Sequence, residues 1–522
     1  MKLLYLFLCC WLTAGICAQN SNLSGGLIYE GEPYIVINPQ NSQHLVVAWM
    51  GFQFGQKVVI RTTTSFDGGA TWSPISNLPH IASTNSSADP SVRIDNLGNV
   101  YVCYIDYDNE SFLNGAIVVA KSTDGGLTWG VPIEAINISQ CPNQLCVDRP
   151  WMVVDNSGTS SDGTIYVTSM NAGQPSLVTP PYHPYLSVST DQGASFSSPR
   201  FLDTLNFQAG SIIDKPMPTP AVGADGRFLA VYPSYELSQS VFAQAFLASS
   251  SDLGITLNHQ LVAQSAQGFS ENSTKKGPLL VASKVNAEHY AYVTLAEING
   301  DLDVFVTETL DAGMTWGTLQ RVNDDPVGNG VLQDLVWADF NEQDDLVVCW
   351  RDRRNGGGGF SADSDIFSAV KFADSLQFSE NFAVTDITIT HDPMLENSGN
   401  DFMSVVFSND TIYAVWGDVR NNVINIFYNK MSVHNPVLNI STIASTEWHD
   451  IPIYPNPSSN FINVDDEFIE GRYQLYTSNG KLVKQGGVVN TRIEISELQA
   501  GGYRMILSVG SKVQSFCVVK KD

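Results

Sequence analysis

Ser65-Phe66-Asp67-Gly68-Gly69-Ala70-Thr71-Trp72 is the stretch that decides the fold, because its pattern of hydroxyl, acid, glycine, hydroxyl and aromatic returns along the chain. Three close copies and one weaker copy follow, with aspartates at Asp124, Asp191, Asp252 and Asp311. Successive aspartates are 57, 67, 61 and 59 residues apart. Because this period is much longer than one hairpin, each period is expected to be one supersecondary unit of a repeated array.

The composition is that of a well-packed chain with a strong negative charge. Hydrophobic residues make up 43% and aromatic residues 10% of the 522 residues, which favours buried cores over disorder. The 53 acids against 27 bases give a formal net charge of -26. Such a charge repels nucleic acids and anionic membranes at long range, so we expect neither as a partner. Binding of an anion would require a local basic cluster.

The N-terminus has the pattern of a signal peptide. An early lysine is followed by an apolar run and then by small residues that end at Ala18. The run is too short to span a bilayer, and we expect residues 1–18 to be removed on export. No later stretch is long and apolar enough to predict a transmembrane segment.

Two cysteines are candidates for a disulfide. Cys141 and Cys146 flank a short Pro-Asn loop and could be joined in an oxidising compartment, the alternative being two free thiols. Cys103 and Cys349 lie in apolar, strand-like runs, which indicates that they are buried packing residues.

Short β-branched and aromatic segments separated by Gly, Asn and Asp fill each period, which is the signal of antiparallel strands. Each period contains four strand-like segments, and four antiparallel strands make one propeller blade. The first hairpin of the period occurs seven times in all, whereas the octapeptide pattern occurs five times. The sequence therefore predicts an all-β fold with a seven-bladed β-propeller over residues 19–433, six blades being the alternative. The last unit lacks a fourth strand, and we expect residues 23–29 to supply it.

The repeat ends after Val433. Residues 434–450 have the character of a linker, and residues 451–522 contain further short strand-like runs. This segment is predicted to form a separate, small β-sandwich.

The repeated Ser-x-Asp-x-Gly-x-Thr-Trp pattern resembles the Asp-box (BNR repeat) of sialidases and related propellers. The resemblance covers roughly residues 27–433 and implies a glycan-acting, sialidase-like protein. It places the boxes between the third and fourth strands of a blade and away from the active-site face. The five aspartates, Asp67 among them, are then structural. The chain departs from sialidases in two respects: Arg93-Ile94 is followed by Asp95 and not by proline, and seven units are counted where sialidases have six blades.

The C-terminal segment resembles the type IX secretion sorting domain (type A) of Bacteroidetes. The residues that carry the resemblance are Tyr454-Pro455-Asn456-Pro457, an Asn-Gly turn near Lys481, and Leu498-Gln499-Ala500-Gly501-Gly502-Tyr503. It implies handling by the type IX machinery, export across the outer membrane, and then release or attachment at the cell surface. The alternative is a carbohydrate-binding or adhesive sandwich.

In a propeller, the starts of the innermost strands and the ends of the second strands meet on one face around the channel, where function is usually placed. Three arginines at these positions are candidates for binding a carboxylate or sulfate: Arg149, Arg354 and Arg420. Four residues are candidates for proton transfer: Asp148, Asp352, Asp418 and Tyr235.

A structural interpretation of the same residues stays open, in which the acids cap strand amides and each arginine pairs with its own aspartate. No histidine or cysteine cluster with metal-ligand spacing and no phosphate-binding loop is present in the sequence, so we expect no metal and no cofactor. The favoured function is a secreted hydrolase or lyase acting on acidic glycans. The alternative is a non-catalytic surface propeller that binds a glycan or a protein.

Overall fold

The structure of the protein is a computed structural model. It describes residues 20–53, 57–108, 115–141, 144–172, 178–265, 278–298, 301–395, 400–433, 453–469, 471–477, 482–509 and 512–521. The predicted signal peptide and the predicted linker at residues 434–450 lie outside these ranges. Contacts divide the chain into two units, Met1–Val433 and His434–Asp522.

The first unit consists of seven four-stranded antiparallel sheets, called blades 1 to 7 in chain order. Blade 1 contains β2 (Glu30–Asn38), β3 (Asn41–Gln53), β4 (Lys57–Ser65) and β5 (Ser76–Asn77). Blade 2 contains β6 (Ser86–Ile94), β7 (Val100–Tyr107), β8 (Gly115–Ser122) and β9 (Ile133–Asn137). Blade 3 contains β10 (Asp148–Val154), β11 (Ile165–Met170), β12 (Tyr185–Ser189) and β13 (Arg200–Phe201).

Blades 4 to 6 have the same four-strand order. Blade 4 contains β14 (Thr219–Val222), β15 (Phe228–Ser234), β16 (Gln244–Ser250) and β17 (Asn258–Gln264). Blade 5 contains β18 (Leu279–Ala282), β19 (Tyr290–Ile298), β20 (Asp301–Thr309) and β21 (Gln320–Arg321). Blade 6 contains β22 (Gln333–Phe340), β23 (Leu346–Asp352), β24 (Asp365–Lys371) and β25 (Phe382–Ala383). Two short 3₁₀ helices, Ile138–Gln140 and Pro393–Leu395, lie in connections.

Blade 7 is built from both ends of the unit. It consists of β26 (Ser404–Ser408), β27 (Thr411–Asp418) and β28 (Asn425–Ser432), and its outermost strand is β1 (Ser21–Asn22). The N-terminal segment therefore completes the last blade, as predicted. The strand lies earlier than the expected residues 23–29, because Tyr428 and Phe427 pair with Ser21 and Asn22.

The innermost strands show that the blades form a closed ring. Each of β2, β6, β10, β14, β18, β22 and β26 contacts the next, and β26 contacts β2. Alternate residues of the strands face the neighbouring blades and are buried there; Leu45 and Trp49 of blade 1, for example, pack with Val415 and Ile426 of blade 7. A ring of twisted four-stranded sheets around a central axis is a β-propeller.

The second unit contains two antiparallel sheets. One pairs β29 (Phe461–Asn463) with β32 (Arg492–Glu494), and the other has the order β31 (Leu482–Gly487), β30 (Arg472–Thr477), β33 (Gly501–Val509), β34 (Lys512–Lys520). A 3₁₀ helix lies at Asp466–Phe468. Ile462 and Ile493 from the first sheet share a core with Leu475 and Met505 from the second, which makes the unit a small sandwich. Within the described ranges, no helix has the length and apolar character needed to cross a membrane.

Candidate functional site

Three charged residues occupy strained positions at the starts of consecutive inner strands. Glu32, Asp89 and Arg149 have φ values of 54°, 53° and 48°, and each precedes a proline. The ladder of each strand shifts register at this point, which is the mark of a β-bulge. A left-handed conformation costs such a residue about 1–3 kcal/mol, and residues of this kind cluster at functional sites.

The bulges place Asp148 and Asp334 one position before the residues that correspond to Glu32 and Asp89. In the structure the left-handed positions are Arg149 in blade 3 and Leu335 in blade 6 (φ 51°), so each aspartate precedes the bulge by one residue. The sequence could not show the extra residue because a bulge has no fixed motif.

Arg149 extends across the channel from blade 3 and pairs with Asp401, which precedes the first strand of blade 7. Burial disfavours the guanidinium charge, but the carboxyl groups of Asp89, Asp401, Glu32 and Asp148 favour it more strongly, so the pKa of Arg149 is raised. The side chains of Arg149 and Asp401 are 22% and 16% exposed. Four acids and one permanent cation thus meet at the mouth of the channel, a group we call the carboxyl cluster.

Glu32 is the buried acid of the carboxyl cluster. Its residue is 2% exposed, and its Oε2 has no hydrogen-bond partner among the described residues. Burial first, and then the charges of Asp89 and Asp401, raise the pKa of Glu32 well above its usual range. Glu32 also shares a hydrogen bond with Asp89, and two carboxyl groups can do so only when one holds a proton. The raised pKa of Glu32 therefore favours the protonated form of this side chain.

Asp148 lies beside this pair and titrates at a different pH. Burial and the charge of Asp89 raise the pKa of Asp148 to about 6, while Arg149 and Lys215 oppose the rise. At neutral pH Asp148 is ionised, whereas burial and the neighbouring charges favour the protonated form of Glu32. Neighbouring carboxyl groups whose environments separate their pKa values in this way are suited to act as base and acid.

Aromatic rings close the channel beside the cluster. Trp151 of blade 3 contacts Trp337 of blade 6 at 5.5 Å between ring centroids and Phe402 of blade 7 at 5.9 Å. Tyr34 of blade 1 meets Trp337 at 4.9 Å. These blades are not neighbours in the ring, so the contacts cross the axis. Arg149 stands over the Phe402 ring at 5.1 Å, so the carboxyl cluster lies next to these rings. We call Tyr34, Trp151, Trp337 and Phe402 the aromatic floor.

Arg354 and Arg420 have a different environment from Arg149. Each binds the aspartate two positions before it: Arg354 lies 2.9 Å from Asp352, and Arg420 lies 2.8 Å from Asp418. The same aspartates accept the indole N–H groups of Trp350 at 2.8 Å and Trp416 at 3.2 Å. This is the arrangement of the structural interpretation, in which each arginine pairs with its own aspartate.

Each of these arginines also binds an aspartate beyond its own blade. Arg354 contacts Asp324, which follows the outer strand of blade 5, and Arg420 contacts Asp386, which follows the outer strand of blade 6, both at 2.7 Å. The repeated Trp-x-Asp-x-Arg motif therefore joins neighbouring blades. Tyr235, the remaining candidate for proton transfer, follows the second strand of blade 4, where its hydroxyl donates to the Val241 carbonyl at 3.5 Å.

Cys141 and Cys146 form a disulfide just before the cluster. The Cys146 carbonyl accepts a hydrogen bond of 2.8 Å from Ser169 of β11. The disulfide thus closes the loop that leads to Asp148, two residues further on. Cys103 and Cys349 are buried free thiols.

The five Asp-box aspartates make one set of contacts throughout. Asp67 accepts from the Ser65 hydroxyl and the Thr71 amide, both at 2.8 Å, and from the Thr71 hydroxyl at 2.6 Å. Hydrogen bonds of this kind lower the pKa to about 2 at every box: Asp67, Asp124, Asp191, Asp252 and Asp311. The boxes follow the third strands, so they lie at the end of the blades opposite the carboxyl cluster.

The sequence did not single out Glu30, which is 1% exposed and contacts the Trp49 indole and the Arg61 guanidinium. Burial raises the pKa of Glu30 to about 7, although Arg61 and Trp49 lower it. Neither Glu32 nor Asp89 is among the candidates drawn from the sequence. The signal that could have found them is a charged residue followed by proline at the start of three successive inner strands, as at Glu32, Asp89 and Arg149.

The C-terminal unit carries a recognised family. Residues 452–521 match the model of the secretion system C-terminal sorting domain. The protein is exported by the type IX system and is secreted or displayed at the cell surface. Among curated proteins, none matches the sequence significantly.

Solved structures give weak likenesses to the propeller. A Dyadobacter fermentans protein of unknown function has 14% identity over 68% of this chain and 97% of its own, with a TM-score of 0.42. The NanB sialidase of Streptococcus pneumoniae has 13% identity over 79% and 70%, with a TM-score of 0.40. A GH93 alpha-L-arabinofuranosidase of Fusarium graminearum has 11% identity over 79% and 97%, with a TM-score of 0.41. At these values nothing about activity is carried to this chain.

Proposed function

We propose that the exported propeller is a glycoside hydrolase whose active site is the carboxyl cluster. The observation that carries the proposal is that buried Glu32, hydrogen-bonded to Asp89 and with its pKa raised, lies with Asp148 and the Arg149–Asp401 ion pair in one cluster. The Glu32–Asp89 pair protonates the glycosidic oxygen of the leaving sugar, and Asp148 takes a proton from the attacking water. Arg149 holds a sugar hydroxyl or carboxylate at the mouth.

The charge of the cluster bears on the substrate. Four acids surround one arginine, and that arginine is already paired with Asp401. An acidic sugar would have to displace this carboxylate, so the acidic glycans expected from the sequence are less suited to the site than neutral ones. We therefore propose a neutral glycan as the substrate class. Arg354 and Arg420, each held by two aspartates, are assigned to the joining of blades.

The test is a screen of the full exported chain against neutral, uronate, sulfated and sialylated glycans, with release of reducing ends as the readout. The variants Glu32→Gln and Asp148→Asn should each lower kcat by about 10²–10⁴-fold without lowering Tm, because each removes a buried carboxyl group whose pKa is raised. Asp214→Asn is the matched control, because Asp214 is an exposed acid before the inner strand of blade 4. Hydrolysis unaffected by both cluster variants would place the chemistry elsewhere.

The pH profile adds a second readout. Activity should rise as the pH passes about 6, where Asp148 ionises, and fall again at higher pH as Glu32, whose pKa is raised, loses its proton. In the Asp148→Asn variant the rise near pH 6 should be absent from the residual activity. Binding of a glycan without turnover, weakened by Arg149→Ala, would instead support the alternative of a non-catalytic binding propeller.

A further inference from the structure

Blade 5 contains a second group of acids, apart from the carboxyl cluster. Asp301 and Asp303 lie at the start of β20 and point to the same face of the strand, and Asp325 follows β21. One carboxylate oxygen from each lies within 4.8 Å of the others. All three residues are buried, with exposures of 0%, 0% and 8%. Three buried acids at this separation repel one another strongly unless a cation stands among them.

Neighbouring side chains provide hydrogen bonds and one positive charge to two of these acids. The Asn323 amide donates to Asp303 at 2.6 Å and to Asp325 at 2.7 Å, and Arg321 binds the same two acids at 2.7 and 3.1 Å. These contacts hold the carboxylates in fixed orientations and leave other oxygens of the trio free.

The amides of Gly328 and Asn329 donate to Asp301 Oδ2 at 2.9 and 3.1 Å, and the Asn329 side chain donates to Asp325 Oδ2 at 2.9 Å. Backbone and side chains thus wrap around the acids from the loop after β21. This loop and the strand β20 present their oxygen atoms to the same point.

Two buried oxygens have no hydrogen-bond partner among the described residues: Asp301 Oδ1 and Asp303 Oδ2. An unpartnered buried carboxylate oxygen is costly, and native structures rarely keep one without an ion or water. The nearest cations do not balance the charge. Arg321 is one charge against three, and Arg354, 3.8 Å from Asp325, is shared with Asp352 and Asp324.

We propose that Asp301, Asp303 and Asp325 form a binding site for a divalent cation, and specifically for calcium. Calcium takes oxygen ligands at about 2.3–2.6 Å, so oxygens that lie within 4.8 Å of one another, as these three do, can all contact one ion. Calcium also accepts irregular geometry with additional carbonyl or water ligands, whereas magnesium requires a near-ideal octahedron. The sequence did not predict this site because its three acids have no recognised ligand spacing.

The ion would connect two parts of blade 5, the strand β20 and the segment after β21, between which strand pairing is limited. The outer strand β21 pairs with β20 at two positions. A cation bound to Asp301, Asp303 and Asp325 would fasten β20 to the segment after β21. Arg354 of blade 6 contacts the same segment at Asp324 and Asp325, so the ion would also stabilise this junction of two blades.

The experiment uses the full exported chain, treated with EDTA and returned to metal-free buffer. Calcium is added in a calorimetric titration, and Tm is measured over the same concentrations. We expect binding with a Kd of about 10⁻³ M or tighter, as in extracellular calcium modules, a rise of Tm with calcium, and weaker binding of magnesium.

Asp301→Asn should weaken calcium binding at least about 10-fold and abolish the calcium-dependent rise of Tm. In EDTA the same variant should have a Tm equal to or above that of the unsubstituted chain, because it removes a buried charge that is repelled by Asp303 and Asp325. Glu380→Gln is the matched control, since Glu380 is an exposed acid elsewhere in the propeller. If Asp301→Asn does not fold, Asp325→Asn takes its place in the titration.

Two results would overturn the proposal. One is the absence of both calorimetric heat and a change of Tm at 10-fold more calcium than the expected Kd. The other is calcium binding by Asp301→Asn or Asp325→Asn with the same Kd as the unsubstituted chain. Neither result bears on the hydrolase proposal, whose residues lie in blades 1, 2, 3 and 7.

Discussion

Residues in the left-handed region occur at both ends of the blades, for different reasons. At the carboxyl cluster, Glu32, Asp89 and Arg149 adopt positive φ without being glycine. At the opposite end, the second left-handed position of every Asp-box turn is a glycine. Gly69 has φ 84°, and a Cβ there would lie 1.9 Å from the Tyr428 hydroxyl of blade 7. The glycine thus permits both the turn and the close approach of two blades.

This difference gives a prediction for Gly69→Ala. The substitution should destabilise the propeller by about 2–4 kcal/mol, because it adds a clash with Tyr428 to the backbone cost. Gly158→Ala is the matched control: Gly158 has φ 69° but no atom within 4 Å of the added Cβ, so its cost should be about 1 kcal/mol. Chemical denaturation measures both. Equal losses of stability would show that Tyr428 moves aside freely.

The same residues show what the sequence could reveal. Asp67 was predicted to be structural from the hydroxyl and glycine around it, and its hydrogen bonds lie within the octapeptide itself. The environment of Glu32 depends on Asp89 and Asp401, which are distant in sequence. Local chemistry can be inferred from a motif, whereas a pKa shift produced by residues on three blades cannot.

At the scale of elements, the last blade repeats an interaction of the one before it, which we call the Asn–Asp–Arg network. In blade 6, Asn381 precedes the outer strand, exchanges hydrogen bonds of 2.8 and 2.9 Å with Asp324, and accepts from Arg354 at 2.9 Å. In blade 7, Asn20 precedes β1, exchanges bonds of 2.9 and 3.0 Å with Asp386, and accepts from Arg420 at 3.2 Å.

The network predicts how the ring is closed. Asn20→Ala should lower stability by about 1–3 kcal/mol and lead to release of β1, because this strand has only two residues and Asn20 lies directly before it. Asn381→Ala removes the same contacts from a blade whose outer strand is covalently linked on both sides. It should lower stability by a similar amount without exposing an edge.

Hydrogen exchange at the amides of β28 distinguishes the two variants. Faster exchange in Asn20→Ala than in Asn381→Ala would follow from the release of β1, since β28 would then be an edge strand. Identical exchange in the two variants would contradict the role given to Asn20. The sequence predicted the closure from a missing strand. It did not predict which residues pair, because a two-residue strand has no periodic pattern.

At the scale of the whole molecule, two sets of carboxyl groups respond to pH in opposite directions. The Asp-box carboxylates have pKa values lowered to about 2, so the stability they contribute is present above the unfolded pKa of about 4 and is lost as the pH falls. Glu30 and Asp148 have pKa values raised to about 7 and about 6, so their contribution is complete below about pH 4 and is lost as the pH rises.

We therefore expect the propeller to be most stable near pH 4 to 5. The rise of the Glu30 pKa from 4.5 to about 7 corresponds to a loss of about 3 kcal/mol on going to neutral pH. The net charge of -26 acts in the same direction through self-repulsion. Calorimetric Tm values at constant salt between pH 3 and 9 test this, and Glu30→Gln should reduce the decline above pH 5. A Tm that increases steadily to pH 8 would contradict it.

The aromatic floor affects how a ligand can enter and leave the channel of the propeller. Because Tyr34, Trp151, Trp337 and Phe402 meet across the axis, these rings obstruct movement along the axis beside Arg149. Whatever enters at the carboxyl cluster must leave by the opening it came through. A long polymer cannot be drawn from one face to the other, and each departing molecule must clear the entrance before the next arrives.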